Sequence, residues 1–336
     1  MCSSDLPYLF LYSALSIPIF YAVGLAFGRD SNYAVVDFWR FWVVHLWVED
    51  FLELFTTIMV AYLFVLLGVV RAATATRVVY LDVILYSVGG VIGTMHHLYF
   101  SGAPAVHMAL GATFSALEVI PLLLLTFEAW RFMRLGAHQA TSPVLSAAQQ
   151  RSFPHYWAVM FLIAVGFWNF LGAGVFGFLI NLPIVSYYEI GTQFTANHGH
   201  GAMMGVYGML AIGFFMFVAR YFIPPDHGSR FAMGLSFWSL NLGLAWMLFA
   251  NLVPIGIVQL YDSFQSGYWH ARQAEFFQQP WVRLIEWLRL PGDLLFIVGG
   301  IGPVVYLAIR MFQLRNRYRA EPGAAVEDFT QAIETT

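Results

Sequence analysis

Apolar residues fall along this chain in eight long stretches, at roughly 7–27, 38–69, 78–101, 105–132, 154–181, 187–222, 231–259 and 290–313. A helix rising about 1.5 Å per residue needs about 20 such residues to cross the hydrocarbon core of a bilayer. The breaks between stretches are short and polar, as in Gly28-Arg29-Asp30-Ser31-Asn32 and Pro224-Pro225-Asp226-His227-Gly228. They leave no room for a soluble domain, and no internal repeat stands out. The predicted fold is therefore all-α, a polytopic integral membrane bundle of about eight transmembrane helices.

Composition supports the bilayer as solvent. Only 10% of the 336 residues are charged, 60% are hydrophobic, and the mean hydropathy is +0.68. A soluble domain carries about 25% charged residues. There is no lysine, and a net charge of −3 supplies no basic patch, which excludes nucleic acid as a partner. The single cysteine, Cys2, excludes a disulfide framework, thiolate metal clusters and the C-x-x-C-H attachment of a c-type haem. Any metal must be held by histidine and carboxylate.

Arginine sets the orientation. Arg71, Arg77, Arg131, Arg134, Arg151, Arg220, Arg230, Arg310, Arg315, Arg317 and Arg319 fall at one end of the spans, and Arg29, Arg40, Arg272, Arg283 and Arg289 at the other. The first end, which holds the C-terminus, is expected to be cytoplasmic. Residues 1–6 have no charged leader and are not a signal peptide. They read as a translated scar, so a chain shortened at its start is expected. Residues 7–315 form the membrane domain, and 316–336 a polar, acidic tail expected to be frayed.

Ionisable groups in hydrocarbon are costly and usually functional. The second span carries His45, Glu49 and Glu53 at i, i+4 and i+8, on one helical face. The third ends in His96-His97, the fourth carries Glu118, and the sixth carries His198-Gly199-His200. Alternating span directions bring all four sets to the outer half of the membrane, so one site can collect them. A lone intramembrane histidine is often only hydrogen-bonded to its neighbour, but five with three glutamates at one depth are not expected by coincidence. Three imidazoles and a carboxylate suit a metal such as iron rather than a soft ion. His198 and His200, about 200° apart on a helix, point in nearly opposite directions and suit two separate planar cofactors. His107, His138, His155, His227 and His270 lie near loops and read as ordinary.

These residues resemble the haem–copper oxidase superfamily and, within it, the nitric oxide reductases. Glu49 stands in HLWVE where the oxidases place a tyrosine, Glu118 in SALE matches the reductases' second active-site glutamate, and Glu53 their supporting acid. NFLGAGVFGF, YYEIGTQFTANHGH and LYDSFQSGYWHAR look like the quinol-dependent branch. The resemblance implies non-haem iron on His45, His96, His97 and Glu49, a high-spin haem b on His198 and a low-spin haem b on His200. It also implies catalytic roles for Glu49, Glu53 and Glu118, and a quinol contact at Glu286. Nitric oxide would be the substrate, quinol the electron donor, a homodimer the assembly, and a bacterial or archaeal cytoplasmic membrane the location.

Two departures stand out. Asp50 follows Glu49 where those reductases carry glycine, and no histidine precedes His45 to serve as second axial ligand of the low-spin haem. Residues 1–336 alone are thus expected to lack a bis-histidine haem and to be inactive with quinol. A nitric-oxide-disproportionating relative, a non-catalytic haem protein of the membrane and a proton-coupled transporter remain open. An optical spectrum separates the last, since a transporter shows no haem.

Overall fold

The computed structural model describes residues 5–98, 101–135, 153–321 and 323–334. His138, Arg151 and residues 1–4 lie outside them. Among the described residues the regular structure is entirely helical. In chain order the elements are α1 (Asp5–Val23), α2 (33–66), α3 (Ala72–Gly93), α4 (Ala105–Leu135), α5 (Tyr156–Asn181), α6 (Pro183–Glu189), α7 (Gln193–Ala219), α8 (His227–Ser266), α9 (Pro280–Ala320) and α10 (Ala324–Glu334).

Seven of these (α1, α3, α4, α5, α7, α8 and α9) are long and apolar enough to cross a membrane. The second predicted span forms the continuous helix α2, which Asp37, Arg40, Glu49, Asp50 and Glu53 make too polar to qualify by composition. Of these, Asp50 and Glu53 are buried in the bundle and Glu49 is half-buried, whereas Asp37 and Arg40 are exposed. The bundle's outer face is apolar, with Phe127, Phe231 and Trp238 each more than half exposed. In water such a surface would aggregate; in lipid it is the solvent face.

Two expectations need correction. The sixth stretch does not run as one helix from 187. The chain breaks after Glu189, Gly191 adopts φ 77°, and Thr192 then caps α7 by accepting from the Phe194 amide. A left-handed residue cannot sit inside a right-handed helix, so the glycine ends one element and the threonine starts the next. The tail is not frayed over 324–334. It forms α10, where Asp328 accepts from Arg317 (3.0 Å) and from the Tyr318 hydroxyl (3.1 Å).

Helix register follows from a few contacts. Tyr80 donates to Asp5 and Tyr12 pairs with Ser87, both offsets of 75, so α1 and α3 run parallel. Asp50 packs on Gly90 and Gly111 on Gly93, so α3 runs antiparallel to both α2 and α4. Close approach depends on missing side chains, as is usual where helices meet in lipid. A Cβ on Gly172 of α5 would stand 2.4 Å from the backbone of Gly201 on α7. Gly172→Ala is expected to push these helices apart at a cost of about 1–3 kcal/mol. Thermal unfolding in detergent reads this as a lower Tm; an unchanged Tm would show that the contact is dispensable.

Candidate metal centre

The centre is built where α2, the end of α3 and α4 meet. α2 contains a turn of π-helix at Leu46–Phe51, which begins directly after His45 and carries Glu49. π-Turns also occur in α5 (Asn169–Phe176) and α7 (Met203–Gly208), and the three together contribute Val48, Glu49, Ala173, Met203 and Tyr207 to one cavity wall. Such turns are frequent at functional sites because they re-aim side chains without ending the helix. Past Gly93 the chain leaves helix α3 and presents His96 and His97. α4 approaches them at Gly111, where an added Cβ would lie 2.8 Å from that of His96.

His45, Glu49, His96 and His97 each offer a ligand atom, all within 4.8 Å of one another. The imidazole rings are close, with centroids 4.8 Å apart for His45–His96, 4.7 Å for His45–His97 and 4.4 Å for His96–His97. His45 Nδ1 lies 2.7 Å from the Thr94 carbonyl, which can only accept, so this nitrogen carries the proton. His45 Nε2 contacts Glu49 Oε2, itself an acceptor, so a proton or a metal ion must lie between them. Glu49 Oε2 is also 3.6 Å from His96 Nε2, and Ser115 Oγ donates to Glu49 Oε1 at 2.6 Å. His96 is fully buried with neither ring nitrogen hydrogen-bonded.

Buried lone pairs turned toward one another are stabilised only by a cation between them. Three imidazoles and one carboxylate therefore fit a metal ion, of borderline or hard type. Thr94 and Ser115, which sequence reading passed over, orient two of these side chains, as outer hydrogen bonds do in metal sites generally.

The same three elements, with α5 and α7, enclose a cavity of about 230 Å³ lined by His45, Glu49, His97, Glu53, Glu118 and His198 among others. His198 donates from Nδ1 to the Gly172 carbonyl (2.9 Å), leaving Nε2 free, and its ring lies 6.3 Å from that of His97. Gly177 carries no Cβ where one would come within 2.9 Å of the His198 ring. A nitrogen presented this way would be the one to hold a haem iron. His200 turns the other way: Nδ1 donates to the Ala196 carbonyl, and Nε2 accepts from Arg289 at 2.9 Å. Asp293 holds Arg289 at 3.1 Å. Haem ligation at His200 would use the same nitrogen and so would replace the Arg289 contact.

Glu53 and Glu118 are both buried, each with one carboxylate oxygen unpartnered, and both line the cavity. Glu286 is exposed on α9 and does not line this cavity. Of the histidines read as ordinary, His270 pairs with Asp262 at 2.6 Å near the surface, and His155 packs against Phe217 and Tyr221. Outside the spans, burial lifts the Glu189 carboxyl to about 7, against the Thr195 hydrogen bond and the Arg272 charge, which lower it. Asp50, the departure noted next to Glu49, is fully buried at the site, and Asp82, not singled out in the sequence, is fully buried further along α3.

An antiparallel and parallel helical bundle enclosing an imidazole–carboxylate cluster defines a multi-pass membrane protein organised around a metal-ligating core. This chain belongs to the cytochrome c and quinol oxidase polypeptide I family, whose profile matches residues 5–295. That places it in the haem–copper oxidase superfamily of membrane oxidoreductases. It is 28% identical over 320 residues to a nitric oxide reductase subunit of Stutzerimonas stutzeri, covering 89% of this chain and 60% of that relative. The chain thus spans about three fifths of the length of the curated relative it matches.

Proposed function

We propose that this chain carries the catalytic centre of a nitric oxide reductase, with quinol as electron donor. The observation that carries the reading is Glu49: a carboxylate ligand atom completing a three-imidazole cluster, with a second buried carboxyl, Glu118, facing the same cavity. The overall reaction joins two NO with two electrons and two protons to give N2O and water. His45, His96, His97 and Glu49 would hold non-haem iron, His198 a high-spin haem b and His200 a low-spin haem b. Bound there, the irons supply electrons and Lewis acidity.

The protein's own residues do the rest. The Thr94 carbonyl fixes the tautomer of His45, and Ser115 holds Glu49 in place. Val48, Val119, Ala173, Ala202 and Met203 line the remainder of the cavity. That apolar wall admits a small neutral molecule and excludes bulk water, which confines two substrates at high effective concentration. Glu118 and Glu53 hold and move the protons at the cavity wall. The arginine-rich end faces the cytoplasm.

The test is anaerobic NO consumption by the purified protein with a chemical reductant, which needs no bis-histidine low-spin haem, alongside metal analysis. Expected are N2O formation and iron in excess of haem. Copper at the cluster, iron fully accounted for by haem, or no NO consumption with any donor would overturn the reading.

A further inference from the structure

Asp82 is a buried carboxyl that the reaction described above leaves without a role. It sits in the middle of α3 with no solvent exposure, and neither of its oxygens has a hydrogen-bond partner. Thr57 of α2 lies beside it, with Glu53 and Tyr86 adjacent toward the metal cluster. Thr57 Oγ1 and Glu53 Oε1 are likewise buried and unpartnered.

The register of the two helices explains the arrangement. Asp50 packs on Gly90, Glu53 lies beside Tyr86 and Thr57 beside Asp82, successive pairs about one turn apart. The eight residues from Asp82 to Gly90 span about 12 Å of helix. Tyr86 also donates to the Glu118 carbonyl (3.4 Å), tying the line to α4. Away from the cluster, the next turn of α3 presents Ala75, Val78 and Val79, all buried and apolar. Asp82 is therefore the far end of a polar line that leads to the cavity.

An unpaired carboxylate in such a setting is expensive, and ionisable groups persist inside membranes where they serve transport or relay. We propose that Asp82 stores a proton and passes it along Thr57, Tyr86 and Glu53 to the metal cavity when electrons arrive there. This rests on the reading of the cavity as a site of proton-consuming reduction. Glu53 gives its proton to the cavity; an O–H bond of Asp82 then breaks as one forms on Glu53, leaving a carboxylate on Asp82. A proton drawn ultimately from solvent restores Asp82 between reductions, and no electron moves on these residues.

The test needs no nitric oxide. The purified holoprotein is mixed with a chemical reductant in weak buffer, and a pH-indicator dye reads proton uptake. Asp82→Asn is expected to slow the uptake that accompanies reduction roughly 10²-fold, with haem absorbance unchanged, and Asp82→Glu to restore it. The reduction-induced infrared carboxyl band should disappear in Asp82→Asn. Unchanged uptake and an unchanged band in a correctly assembled Asp82→Asn protein would overturn the proposal, as would failure of Asp82→Glu to restore uptake. Should Asp82→Asn not assemble, 13C-aspartate labelling is applied to the unsubstituted and Asp82→Glu proteins. A band that shifts with the label in the first and not in the second supports the store, and one unshifted in the first, or shifted in both, rejects it. Because uptake is read on reduction alone, a protein inactive toward NO would refute the functional proposal and leave this test standing.

Discussion

Replacing Glu118 by alanine is expected to lower NO consumption by at least about 10²-fold, the usual contribution of a positioned acid or base. The haem spectrum should change little. Glu118 lines the cavity, is buried, and has an oxygen with no hydrogen-bond partner, so it is not spent on holding helices together. It is also not one of the four residues whose ligand atoms converge. Glu118→Gln separates charge from packing, since it keeps the shape and removes the titrating proton. Loss of activity in both variants with an intact spectrum supports a proton-handling role. Activity within a few-fold of the unsubstituted protein in Glu118→Gln would mean the side chain only fills space.

Glu49→Ala is the second large effect, and it is read in metal rather than rate. Glu49 Oε2 reaches both His45 and His96, so its loss removes the only anionic ligand atom and leaves three imidazoles facing a void. Losing an outer hydrogen bond to a metal ligand costs about 10–100-fold in affinity. Ser115→Ala is expected to show a loss of that size, and Glu49→Ala a greater one. Non-haem iron per haem, measured after dialysis against a chelator, checks both. Equal iron retention in Glu49→Ala and the unsubstituted protein would show that Glu49 is not a ligand.

Much of the site is visible in the letters. An adjacent histidine pair, an H-x-H and acids at i and i+4 are rare in apolar spans, and alternating helix direction alone brings them to one depth. What the letters could not show was who meets whom. Asp82 is one acid in LDVILY, and nothing local says that it lies beside Thr57, twenty-five residues earlier. Thr94 and Ser115 are ordinary hydroxyl residues until the fold places a backbone carbonyl and a hydroxyl against His45 and Glu49. The contact of His200 with Arg289 joins residues 89 apart.

The division has a physical cause. Whether a segment enters a bilayer depends on its length and its summed transfer energy, both local properties, so the sequence alone determined the helical membrane class and the sites where charge had to be tolerated. A helix in lipid is apolar on nearly every face, so the polar stripe that tells a water-soluble helix which side to bury is missing. Rotation and register were left to tertiary structure. Gly111 against His96, Gly172 against Gly201, the π-turn around Glu49 and the left-handed Gly191 decided them, through contacts possible only where a Cβ is absent or a helix is locally rewound.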